Sequence, residues 1–115
     1  MKFTNSLLLL LLLLGSVAPV SAKRAAPAPV APVVADGIRY TAPAEAMGFV
    51  VATDAGGKEL WRVRIYKVDV DPKLEADVQH VFITSLALKD GILTVTNERG
   101  GKYALDVKTR KVTPQ

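Results

Sequence analysis

From Glu59 to Val68 the chain reads Glu-Leu-Trp-Arg-Val-Arg-Ile-Tyr-Lys-Val, with a period of two. Trp61, Val63 and Ile65 fall on one face, and Arg62, Arg64 and Tyr66 on the other. That is the pattern of a half-buried antiparallel strand with one solvated, basic face. A helix, turning every 3.6 residues, would scatter the same apolar side chains around its circumference. A second strand candidate, Gly48 to Thr53, comes just before it, and Asp54-Ala55-Gly56-Gly57-Lys58 joins the two. Glycines in that turn and β-branched residues on either side predict a hairpin.

The rhythm returns further along. Val81 to Leu88, Ile92 to Asn97, Lys102 to Val107 and Lys111 to Thr113 read as strands, with reversals at Lys89-Asp90-Gly91, Glu98-Arg99-Gly100-Gly101 and Lys108-Thr109-Arg110. Between the two sets, Asp69 to Gln79 breaks the alternation. Asp71 suits an N-cap, Pro72 the first helical position, and Glu75 and Asp77 the positive end of a helix dipole. A short helix is therefore expected over Pro72 to Gln79, with Leu74 and Val78 one turn apart. The fold class that follows is mainly β: an antiparallel meander of about five strands, with one short helix inserted after the second. Trp61, Phe82, Leu86, Leu93, Val95, Tyr103 and Leu105 are the expected core.

The sequence before this domain carries an address. Lys2 precedes eight leucines, Leu7 to Leu14, and Val20-Ser21-Ala22 offers small residues at both positions a signal peptidase inspects. An apolar run of about 14 residues is short of the roughly 20 that span a bilayer. Cleavage is expected between Ala22 and Lys23, leaving no stable membrane span. With no cysteine there is no disulfide framework and no acylation site. The expected home is the bacterial periplasm or the exterior. Residues 1–22 are thus a signal peptide, 23–36 a Pro/Ala-rich linker stiffened by Pro27, Pro29 and Pro32, and 37–115 a single small β domain of 79 residues. Loss of Lys2 leaves 14 basic residues against 11 acidic, a net +3. That is no footprint for nucleic acid.

Two stretches add a family likeness. Val51-Ala52-Thr53-Asp54-Ala55-Gly56-Gly57-Lys58-Glu59-Leu60-Trp61 is similar to the strand, Asp-containing turn, Gly-Lys and closing Leu-Trp of quinoprotein-type β-propeller blades. Thr94 to Val112, through Gly101-Lys102-Tyr103-Ala104-Leu105-Asp106 and Lys108-Thr109-Arg110-Lys111-Val112, resembles the same repeat, with Arg110 standing where the family has glycine. The likeness is to a single blade and covers about 30 of the 79 domain residues. It implies a four- or five-stranded sheet with exposed turns, and carries over no cofactor or catalytic residue.

Chemistry-bearing residues are sparse. Each Gly-Gly-Lys leads into a strand, whereas a phosphate loop leads into a helix N-terminus. Asp69, Asp71, Glu75 and Asp77 are the one acidic cluster, but they lack the spacing and central glycine of a calcium loop. His80 is the only histidine, and Ser85 sits in a strand with no nucleophile-elbow glycines. No enzyme, cofactor or metal is expected. The reading that remains is a non-enzymatic interaction module of the cell envelope. Its binding residues would be Arg62, Arg64 and Tyr66, and its partner a protein or an anionic envelope component such as lipopolysaccharide phosphate. Sheet edges offer a route to strand addition or self-association. The alternative is an inhibitor of a hydrolase, presenting the loop Glu98 to Gly101.

Overall fold

The computed structural model describes residues 27–75 and 79–115. Ala22 and Lys23, the expected cleavage pair, lie outside them. Eight strands form two antiparallel four-stranded sheets rather than one five-stranded meander. The first sheet runs β1 (Val33–Ala35), β2 (Ile38–Thr41), β3 (Phe49–Thr53) and β4 (Glu59–Arg64) in spatial order. The second runs β5 (Ile83–Lys89), β6 (Ile92–Asn97), β7 (Lys102–Asp106) and β8 (Val112–Pro114), again in chain order. The two strands missing from the expectation are β1 and β2. They are three and four residues long, one beginning just after Pro32, which hides their alternation.

The expected helix is a correction. Over Asp71 to Glu75 the chain forms a turn and a bend, and residues 76–78, with Asp77 and Val78, lie outside the description. Asp71 does cap, its Oδ1 accepting from Lys73 N at 2.9 Å, and Leu74 N reaches Asp71 O at 3.1 Å. Among the described residues of this stretch no α-helix forms: Leu74 is 61% exposed, and Gln79 lies in a 3-10 turn. A single turn without tertiary burial does not repay helix nucleation. Instead the Gln79 side chain closes the loop, accepting from Asp71 N at 2.7 Å and donating to Asp71 O at 3.0 Å. A connection this long, from 65 to 82, lets the sheet divide where a hairpin would have continued it.

The two sheets repeat one plan. In each, the first hairpin turns on Asp-Gly, with φ of 49° and 75° at Asp36 and Gly37, and 49° and 77° at Asp90 and Gly91. Two successive positive φ values are those of the turn whose twist suits a two-residue hairpin. In each, the last hairpin turns on an aspartate whose side chain closes it. Asp54 Oδ1 accepts from Gly56 N and Lys58 N, both at 2.9 Å. Asp106 Oδ1 accepts from Lys108 N at 2.9 Å and Thr109 N at 3.1 Å, which holds its carboxyl below the ordinary range. Arg110 takes φ 65° in this second turn, a costly region for a side chain bearing Cβ. Its guanidinium lies 6.0 Å from the centre of the Trp61 ring in the first sheet, a contact that offsets part of that strain.

One core spans both sheets. Tyr40, Val50, Ala52 and Ile65 meet Ile83, Leu93, Val95 and Leu105, all buried. The sheets use opposite faces to do this. Counting from the Asp-Gly turn, the first sheet buries the first and third residues of its second strand, Ile38 and Tyr40. The second sheet buries the second and fourth, Leu93 and Val95. Because the side-chain period is two, the sheets are stacked back to front. Their remaining faces are therefore different surfaces.

Candidate binding face

The free face of the first sheet is set by its register. Arg39 pairs with Thr53, Thr41 and Arg62 both pair with Val51, and Arg64 pairs with Phe49. Cross-strand partners share a face, so Arg39, Arg62 and Arg64 stand together around Phe49 and Val51. The three arginines are exposed, while Val51 beneath them is only 6% exposed. Glu59 is hydrogen-bonded to the patch, and the charge of Glu45 also reaches Arg62. Glu59 Oε1 and Oε2 accept from Arg62 Nη2 at 2.7 Å and Arg62 Nε at 3.0 Å. The hydrogen bonds from Arg62 hold the Glu59 carboxyl below the usual range. Both partners are nearly half exposed, so the pair contributes little to stability and is open to exchange. Arg64 instead lies over the Phe49 ring, 5.2 Å from its centre.

The structure keeps Arg62 and Arg64 together and turns Tyr66 away from them. Strand β4 ends at Arg64, where Ile65 N donates to Gly48 O at 2.7 Å, and beyond that point parity no longer directs the side chain. Tyr66 stacks on Tyr103 of β7, centroids 5.4 Å apart, and its hydroxyl donates to Val81 O. It clasps the two sheets. Burial, then the neighbouring Tyr103 and Glu98, push its pKa up to about 12.

That shift sets a pH dependence. The unfolded phenol titrates near 10, so between pH 10 and about 12 the folded chain keeps a proton the unfolded chain has lost. Stability from this group is complete below about pH 10 and falls as pH rises toward 12. Tyr66→Phe is expected to lose about 1 kcal/mol at neutral pH, with the hydroxyl's hydrogen bond, and to melt with a shallower decline in alkali than the parent. Melting temperatures measured across the alkaline range check it.

Arg39 is the member of this arginine group that sequence reasoning missed. Its signal was present in Asp36-Gly37 followed by Ile38-Arg39-Tyr40-Thr41, a turn and an alternating strand at the edge of the proline-rich stretch. Of the nearby lysines, Lys102 stands on the second sheet, and Lys67 sits 3.7 Å from Asp69 on the surface. The loop Glu98 to Gly101 is a tight turn tied to its own frame. Asn97 Oδ1 accepts from Arg99 N at 3.0 Å and Gly101 N at 2.9 Å, and Glu98 Oε1 accepts from Phe82 N at 2.9 Å. His80 meets the Phe82 ring edge-on, at 5.4 Å.

A cavity of about 280 Å³ lies where β2 ends and β3 begins, walled by Pro27–Val30, Thr41–Ala44, Met47, Gly48, Phe82 and Ile83. Among the described residues no three His, Cys, Asp or Glu side chains converge as metal ligands, and no helix is long and apolar enough to cross a membrane. The fold and this face define a small two-sheet antiparallel β protein with an arginine-bearing surface. No protein-family model matches the sequence, and no curated protein matches it either.

Proposed function

We propose that the chain is an exported, non-enzymatic binding module of the bacterial cell envelope, and that it holds an anionic partner on the free face of its first sheet. The observation that carries this reading is the grouping of Arg39, Arg62 and Arg64 around Phe49 and Val51. Guanidinium groups bind carboxylate and phosphate oxygens in pairs, and the apolar floor removes water from the contact. The leader supplies export in this reading. We read each four-stranded unit as akin to the propeller blade repeat on the motifs quoted above.

Charge reversal tests it. Arg39→Glu combined with Arg64→Glu, both exposed positions, is expected to abolish the crosslinks the parent forms in the intact envelope. Binding is also expected to weaken as salt is raised. An unchanged crosslinking pattern in the double variant discards this face.

A further inference from the structure

The four outer strands of the two sheets are not equally open. Strand β1 has three residues, starts just after Pro32 and lies against β5, which itself carries a register irregularity between Ile83 and Ser85. Strand β8 has three residues and ends on Pro114. These are the features that blunt a sheet edge. Strand β4 has one irregularity, confined to its start, where Ala52 pairs with Trp61 and Thr53 with Glu59. It is six residues long, contains no proline, and keeps unbroken register from Trp61 to Arg64. Among the described residues only β3 pairs with it.

The hydrogen-bond parity of β4 is fixed by its last bond. Ile65 N donates to Gly48 O, so Ile65, Val63 and Trp61 direct their main-chain groups toward β3. Arg62 and Arg64 therefore direct theirs outward, along the free edge. The same two residues carry their guanidinium groups on the basic face. A strand added antiparallel here would bond to the main chain of Arg62 and Arg64, and its residues directly opposite would stand on that face. Those residues must be acidic. The residue between them would point to the other side, beside half-buried Trp61 and Val63, and must be apolar.

We propose that β4 is an acceptor for an extended protein segment of the form acidic–apolar–acidic, added as a fifth strand to the first sheet. This inference rests on the basic-face reading and names its partner's class. Glu59 illustrates the chemistry, since both its oxygens already engage Arg62 from the same strand. The β4 of a second copy does not fit as donor: β4 read against itself sets arginine opposite arginine or its neighbour.

The probe is a short synthetic peptide alternating glutamate and valine, compared with the same composition interrupted by a central proline. Trp61, the sole tryptophan, sits on β4 and reports binding by fluorescence, and amide exchange reports the edge. The alternating peptide is expected to bind, to slow exchange at the Arg62 and Arg64 amides, and to lose about tenfold in affinity in Arg62→Glu/Arg64→Glu. The proline peptide is expected not to bind. Equal binding of both peptides without amide protection overturns strand addition and leaves the basic face standing. Binding of neither overturns both. The peptide comparison uses the unaltered chain, so it decides even if the double variant fails to fold.

Discussion

Leu105→Ala is expected to destabilise the protein by about 2–5 kcal/mol, read as a lower urea midpoint with little change in slope. Leu105 is fully buried in β7, between Leu93 on β6 and Val112 on β8. Truncation removes apolar surface from the junction and leaves a cavity that the flanking strands, held in register, cannot close. A domain this size has little reserve. Net stabilities run about 5–15 kcal/mol, and a thin core sits at the low end, so a large share of the variant would be unfolded at ordinary temperature. Leu74→Ala is the matched control. Leu74 is 61% exposed, and its loss should fall within about 0.5 kcal/mol.

Gly48→Ala is expected to be of similar severity for a different reason. Gly48 sits at φ 81°, and a Cβ built there would stand 2.6 Å from the main-chain oxygen of Tyr66. A backbone oxygen cannot swing aside as a side chain can. Relief requires the end of β4 to withdraw from β3, which breaks the Ile65–Gly48 bond and draws Tyr66 off Tyr103. The expected cost is about 3 kcal/mol or more, with loss of the near-ultraviolet signal of the stacked tyrosines. Gly37→Ala separates strain from collision. Its φ is 75°, but nothing lies within 4 Å of the added atom, so about 1–2 kcal/mol is expected.

The sequence spoke clearly where alternation and turn chemistry agreed. Strands β3, β4, β6 and β7 were legible because glycine-bearing turns bracket them and because Trp61, Leu93, Val95, Tyr103 and Leu105 recur at period two. Leu93, Val95 and Leu105 are indeed wholly buried. Tyr40, Val50, Ala52 and Ile83 were not legible as core. Tyr40 lies in a four-residue strand, and Phe49 to Ala52 is apolar without a break, so no face stands out. Val51, on the solvent side of that run, is buried beside its cross-strand neighbour Arg62. Arg62 and Arg64 were readable as a pair because both lie inside β4. Tyr66 lies two residues past its end, where tertiary contacts aim the ring. The repeated plan of the two sheets stayed hidden because it rests on little shared sequence, chiefly Asp-Gly-Ile at the first turn and an aspartate at the last.

Back-to-front stacking gives the molecule a head and a tail. The head carries Arg39, Arg62 and Arg64; the tail is a row of small residues, Ala87, Thr94, Ala104 and Thr113, in register across all four strands of the second sheet, flanked by Lys89 and Lys102. Were copies to queue in the order the two sheets already follow, Lys89 and Lys102, with Asp106 beside them, would be brought toward Arg39, Arg62 and Arg64 with Glu59.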